Sequence, residues 1–230
     1  HKKIFAPDAG LFYRDARSKP RKTKNGKKVL WSRGNGWAFG GLTRILKYLP
    51  ERHASYARYK ALYIQMAESL AKRQQADGFW RSNLDDPGQY AMKESSGTGF
   101  FCYGITWGIN NGILNKERFL PVARKAWTAL ASVVNEDGQV GWSQPAGGGP
   151  GKVAEADTSK FGTGIFLLAA SEMFLLTKSP AASKPLGLRP GPNATVMLNG
   201  KPYRGVGINY FSCFLRTLKD GNDTSYESGF

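Results

Sequence analysis

Gly34-Asn35-Gly36-Trp37-Ala38-Phe39, Gly97-Thr98-Gly99-Phe100-Phe101 and Gly162-Thr163-Gly164-Ile165-Phe166 are three copies of one pattern, set 63 and 65 residues apart. Each Gly-x-Gly opens an apolar stretch of helical length that ends near Tyr48, Gly112 or Leu176. Small residues at such openings let backbones approach closely, as required where helices converge on an inner ring. Between the copies lie two further stretches, residues 56 to 75 and 116 to 135, with apolar residues at three and four spacing. Tyr59, Leu62, Tyr63, Met66 and Leu70 mark the first face, and Phe119, Val122, Ala126, Leu130 and Val133 the second. Both read as amphipathic outer helices.

Each outer helix is expected to stop at Asp77-Gly78 or Asp137-Gly138, where glycine takes the left-handed conformation, and Trp80 or Trp142 follows. Asp8-Ala9-Gly10-Leu11-Phe12 reads as another copy of that turn, with no helix before it in this chain. One unit of inner helix, loop, outer helix and turn cannot bury both of its apolar faces alone, so the repeat implies stacking into an all-α toroid. A closed (α/α) toroid of six hairpins needs about twice the helices present, so the ring is expected to be incomplete. A short β-containing tail follows it.

Composition agrees with a packed body. Of 230 residues, 41% are hydrophobic and 13% aromatic, with six tryptophans. No apolar run of membrane-spanning length and no signal-peptide core is read from the sequence, which implies a soluble chain without a membrane partner. The two cysteines, Cys102 and Cys213, are far apart and give neither a disulfide framework nor a metal cluster, and His1 and His53 are too few for a histidine metal site. Cys102 is expected to be a buried free thiol on an inner helix.

The net charge of +16 attracts polyanions, and ten of the cations fall within residues 2 to 28. That block carries no apolar stripe and contains Pro20, Asn25 and Gly26, so it reads as a solvated loop more than as a nucleic-acid surface.

Chemistry is expected on the loops that enter the inner helices. Trp31-Ser32-Arg33-Gly34-Asn35-Gly36-Trp37 combines two indoles, which pack on sugar faces, with a guanidinium fork suited to a carboxylate and the amide of Asn35. The alternative is that Trp31 and Trp37 belong to the core and Arg33 caps a loop. Asp85, Asp86, Tyr90 and Glu94 are positioned to reach the same rim, while Ser95, Ser96, Glu155, Asp157 and Thr158 read chiefly as helix caps. Asp15, beside Arg14, is a minor candidate for an acid. The run Gly147-Gly148-Gly149-Pro150-Gly151 lacks the Lys and Ser/Thr of a phosphate loop and reads as a rim.

The arrangement of Trp31 to Trp37, Asp77-Gly78-Phe79-Trp80, Leu84-Asp85-Asp86-Pro87, Glu94-Ser95-Ser96-Gly97-Thr98 and Phe161-Gly162-Thr163-Gly164 resembles glycoside hydrolase family 105, the unsaturated rhamnogalacturonyl hydrolases, relatives of the unsaturated glucuronyl hydrolases. The resemblance covers about residues 1 to 178 and implies a six-hairpin barrel. It implies an acidic oligosaccharide as substrate and removal of its terminal 4,5-unsaturated uronic acid by vinyl ether hydration, with no cofactor and no metal. It assigns Arg33 and Trp37 to the substrate, with Trp31 and Asn35 beside them. The family's catalytic Asp sits in a Trp-x-Asp segment that has no counterpart in this chain. Family members also carry a histidine where this chain has Arg14. A non-catalytic module for acidic carbohydrate is therefore the alternative, and a homodimer or a companion chain is expected to complete the barrel.

After Lys178 the composition changes. Residues 179 to 193 are rich in Pro, Ser and Gly and read as a linker. Residues 194 to 230 read as a hairpin about Asn199-Gly200 and a strand through residues 203 to 211, and they resemble the opening of a family 5 cellulase-like barrel.

Overall fold

The three Gly-x-Gly copies each sit in the first turns of a helix. In a computed structural model that describes residues 3–177, 188–190, 196–198 and 201–202, they open α1 (Ser32–Tyr48), α3 (Ser95–Asn110) and α5 (Lys160–Thr177). The amphipathic stretches between them form α2 (Tyr56–Ala71) and α4 (Lys116–Ala131). α3 packs against α1 on one side and α5 on the other, and α2 and α4 lie behind them. The starts of the three inner helices lie side by side, since Phe100 meets Gly36 and Ile165 meets Gly99. They therefore run in one direction, and the return paths are α2 and α4.

Glycine is required at those contacts. A Cβ at Gly36 would stand 2.8 Å from Phe100 Cβ, and one at Gly99 2.8 Å from Ile165 Cγ2, both too close for carbon atoms. The consequence is that α3 is apolar all round. Every residue from Ser95 to Ile109 is buried, with Phe101 edge-on to Trp80 at 5.2 Å between centroids. Phe39 of α1 stacks on Tyr63 of α2 at 4.8 Å, tying outer to inner helix.

The outer helices end earlier than the Asp-Gly pairs suggest. α2 stops at Ala71 and α4 at Ala131, and the glycines belong to separate turns. In one, Gln75 N–H donates to Phe79 O at 2.9 Å and Gly78 N–H to Gln75 O at 3.0 Å. The other repeats it, with Asn135 donating to Gln139 O at 2.9 Å and Gly138 to Asn135 O at 3.0 Å. Gly78 and Gly138 have φ of +89° and +77°, so the left-handed requirement holds at a turn and not at a helix end. Gly10, with φ +63°, turns the hairpin of β1 (Phe5–Ala6) and β2 (Leu11–Phe12), the remaining copy.

The helix caps also differ from expectation. The α3 cap is the Glu94 carboxylate, which accepts from the N–H groups of Ser96 at 2.9 Å and Gly97 at 2.8 Å, so Ser95 and Ser96 lie inside the helix. Ser159 accepts from Gly162 N–H at 3.0 Å at the start of α5, while Asp157 accepts from Ala154 N–H in the preceding loop.

With 18 residues and mean hydropathy 1.3, α5 is long and apolar enough to cross a membrane by length and composition, although Lys160 and Glu172 keep it from being an uncharged apolar run. Ile165, Ala169 and Met173 of this helix are buried in the helical core, while Leu167, Leu168, Phe174 and Leu175 are exposed.

The chain divides into two compact units, residues 1–178 and 179–230. In the second, β3 (Leu188–Pro190), β4 (Val196–Leu198) and β5 (Lys201–Pro202) form an antiparallel sheet with Leu188 opposite Leu198 and Met197 opposite Pro202. β3 falls within the stretch that reads as a linker. The strand expected through residues 203 to 211, and Cys213, lie outside the described residues.

Candidate functional site

The N-terminal ends of the inner helices are covered by the loops that lead into them, and those loops converge on Trp31. Its indole N–H donates to Gln144 Oε1 at 2.8 Å. Gln144 Nε2 donates in turn to Gly149 O at 2.9 Å, and Gly151 N–H donates to Ser82 Oγ at 2.9 Å. The glycine run 147 to 151 is thereby pinned beside Trp31. Between them opens a cleft of about 370 Å³ lined by Arg14, Arg21, Lys22, Trp31, Gln89 and Tyr90 together with the glycine run. The basic N-terminal block is exposed along Lys19 to Lys22 and Lys24 to Lys27, and three of its exposed cations, Arg14, Arg21 and Lys22, edge this cleft.

Arg33 lies behind that wall. It is 2% exposed, donates to Gln144 O and, at 2.8 Å, to Pro145 O, and is sandwiched between the rings of Trp31 and Phe161, 4.8 and 4.7 Å from their centroids. Burial pulls its guanidinium below the ordinary value, opposed by the negative charge of Glu94. An unpaired buried cation costs several kcal/mol, so the two carbonyls and two ring faces are what make the position tolerable. Glu94 is fully buried; desolvation raises its carboxyl above the ordinary value, against the pull of the Ser96 and Gly97 donors. The hydrogen bonds that the Glu94 carboxylate accepts come from the first turn of α3, from Ser96 and Gly97.

The remaining sequence candidates separate. Asn35, 1% exposed, accepts from Phe12 N–H at 2.8 Å and donates to Phe12 O at 2.9 Å and Trp31 O at 3.0 Å; it latches β2 onto α1 and faces no cleft. Trp37 is 55% exposed on the open flank of α1, tilted against Phe100 at 4.5 Å, and borders a shallow apolar groove with Phe12, Ile45 and Tyr59. Arg33 and Trp37 therefore do not share one cavity. Asp15 caps a 3₁₀ turn, Ala16–Ser18, through Ser18 N–H at 2.9 Å. The Ser18 bonds, with Arg17 and Arg14 nearby, hold its carboxyl below the ordinary range, the wrong direction for a proton donor. Asp85 binds Arg73 at 3.2 Å and the Lys28 N–H, and Asp86 accepts from Asn25 Nδ2, so both carboxylates hold loops together.

Sequence reasoning did not find Gln144. A lone Gln before a proline and a glycine run carries no periodicity and no charge; only its three-way bonding in the fold marks it.

Parallel inner helices with outer helices behind them, and a cleft at their loop end, are the architecture of a helical-hairpin toroid. The chain belongs to Glycosyl Hydrolase Family 88, whose model matches residues 1–177. Among curated proteins it is 45% identical over 175 residues to an unsaturated 3S-rhamnoglycuronyl hydrolase from Alteromonas sp. (strain LOR), covering 76% of this chain and 42% of the relative. A Formosa agariphila protein of the same name is 39% identical, covering 76% and 48%. The chain thus spans less than half the length of these curated relatives. A Glycosyl hydrolase family 88 structure from Bacteroides vulgatus superposes with a TM-score of 0.72 at 41% identity, covering 75% of this chain and 51% of that one. A possible GH105 member from Salmonella enterica, at 22% identity and TM-score 0.61, shares the fold. The resemblance to family 105 read from the motifs is thereby met.

Proposed function

We propose that this chain provides the cationic and aromatic wall of a site for a 4,5-unsaturated uronic acid at the end of an acidic oligosaccharide, of the rhamnoglycuronyl class named in its relatives. The observation that carries the reading is the cleft beside Trp31. Three cations and two aromatic rings line a space of sugar size, and no acidic side chain lines it. Indole and phenol faces accept the apolar face of a sugar ring, while Arg14, Arg21 and Lys22 attract its carboxylate. Arg33, whose fork is taken by Gln144 O and Pro145 O, is a positioning residue that sets the Trp31 ring. Trp37 borders a different groove and has no part in this cleft.

In the hydration that the family resemblance implies, a proton is added to the vinyl ether double bond and water to the neighbouring carbon. The hemiketal then collapses and releases the aglycone as an alcohol. The developing positive charge lies next to the carboxylate, so cations on that carboxylate hold and orient the substrate without lowering the barrier. Their loss raises KM more than it lowers kcat. Asp15 is not the proton donor in this reading, because the Ser18 bonds hold its carboxyl below the ordinary range.

Calorimetry on the full chain tests this with an unsaturated uronyl disaccharide and a neutral disaccharide of the same size. The acidic sugar is expected to bind more weakly as salt rises. Trp31→Ala should weaken it about tenfold, near 1.4 kcal/mol, and Arg14→Ala a few-fold. Equal binding of the neutral sugar, or full affinity in Arg14→Ala, would show that the cleft is not the site.

A further inference from the structure

The basic stretch before α1 folds into a fastened turn. Lys22 and Lys28 face each other as an antiparallel bridge, Thr23 N–H donates to Lys27 O at 2.9 Å, and Gly26 N–H donates to Thr23 O at 3.0 Å. Thr23 is buried, and its hydroxyl accepts from the N–H groups of Asn25 at 3.2 Å and Lys27 at 3.3 Å. The turn is then tied to the body. Asn25 Nδ2 donates to both oxygens of Asp86, at 3.2 and 3.1 Å, and Lys28 N–H donates to Asp85 Oδ2 at 3.2 Å. Asp85 and Asp86 belong to the loop between α2 and α3, inside the row of helices, so the place of the turn does not depend on the outer flank of α1 or α5.

The carboxylates around the turn are all committed. Asp8 pairs with Lys28 Nζ at 2.6 Å, Asp15 with Arg14 and Arg17, Asp85 with Arg73, and Asp86 with Asn25. Lys19, Arg21, Lys22, Lys24 and Lys27 are left over. They are five cations within nine residues, all exposed, and none is within 4.0 Å of an acid among the described residues. A block of like charge ordinarily relieves its repulsion by spreading into solvent. Here hydrogen bonds hold the backbone of the block in one place, and the result is a fixed positive field that bound anions relieve.

Arg21 and Lys22 line the cleft beside Trp31, whereas Lys24 and Lys27 do not, so the turn leads out of the cleft. We infer that the turn is a second binding surface, for the anionic sugars that follow the terminal one: an oligosaccharide seated in the cleft by its end runs out along Lys24 and Lys27, which take its further carboxylates or sulfates. The inference rests on the reading of the cleft as the seat of the terminal uronic acid. The ligand is a polyanionic carbohydrate and not a nucleic acid because the surface is continuous with that cleft, and because residues 16 to 28 carry no aromatic side chain on which a base could stack. Lysine suits the task, since a point charge on a flexible stem takes a carboxylate or a sulfate without demanding a forked geometry.

Calorimetry on the full chain tests this with unsaturated uronyl di- and octasaccharides, a sulfated pair of the same lengths, and a duplex DNA matched in charge to the octasaccharide. Wild type should bind the octasaccharide at least tenfold more tightly than the disaccharide, with the steeper salt dependence. The double variant Lys24→Gln, Lys27→Gln should keep disaccharide affinity within twofold and lose most of that gain; whether the gain lies in the carboxylate-only or the sulfated pair names the anion. Asn25→Ala keeps every cation and releases the tie to Asp86, so it should weaken the octasaccharide a few-fold, which a merely solvated patch would not do. The inference is overturned by equal affinity for the two lengths in wild type, by a double variant that loses both lengths alike, by an unchanged octasaccharide affinity in Asn25→Ala, or by DNA that binds as tightly as the octasaccharide and responds to the same variants. A wild-type chain that ignores the disaccharide yet keeps a Lys24- and Lys27-dependent hold on the octasaccharide overturns the cleft reading alone and upholds the turn as the anionic-sugar surface.

Discussion

Cys102 shows how completely a single residue can be defined by its surroundings. It is buried on α3 with its thiol near Ala123 O, and desolvation pushes its pKa from the ordinary 9.0 up to about 12. Thiol reagents attack the thiolate, and both access and ionisation are denied here. In a Cys213→Ser background the native protein should leave Cys102 unmodified at pH 8 and release it to reagent only in denaturant; fast native reaction would contradict its placement. The sign of the pH effect follows from a raised folded-state value. The contribution to stability is complete below pH 9 and is lost as pH rises towards 12, because only the unfolded state ionises freely in that window. Cys102→Ala should therefore show a shallower fall of Tm across pH 9 to 12. The burial of Cys102 was legible from its place in an apolar helix. The role of Arg33 was not, because the sequence cannot tell a guanidinium aimed at a ligand from one held by the carbonyls of Gln144 and Pro145, some 110 residues away.

At the scale of elements, the Gly-x-Gly helix starts and the outer amphipathic faces could be read directly, since spacing and apolar period are local properties. Helix ends could not. The Asp-Gly pairs announce positive φ correctly, yet whether that glycine closes a helix or turns a loop depends on hydrogen bonds to Phe79 and Gln139, which no local pattern encodes. The two turns allow a controlled comparison. A Cβ at Gly138 meets nothing within 4 Å, so Gly138→Ala should cost only the left-handed strain of about 1 kcal/mol. At Gly78 the same atom would also collide with the carbonyl oxygen of Lys125 and come within 3.0 Å of Ala129 Cβ. Gly78→Ala should therefore cost at least ~2 kcal/mol. Thermal unfolding of the pair decides it: equal losses of Tm would mean that the packing of this turn on α4 is looser than described.

At the scale of the whole molecule, the row of parallel inner helices was foreseeable from counting copies, and the position of the cleft was not, because Arg14, Trp31, Tyr90 and Gly148 come from four separate loops. One feature of that architecture bears on how the chain is made. α3 is apolar on every side and depends on α1 before it and α5 after it. During synthesis it leaves the ribosome with one flank covered and waits, through all of α4 and the glycine run, for the other. The growing polypeptide therefore carries a bare, unsheltered helix for the time needed to translate roughly fifty residues, a few seconds at ordinary elongation rates. The length of that interval is set by the order of the helices along the chain.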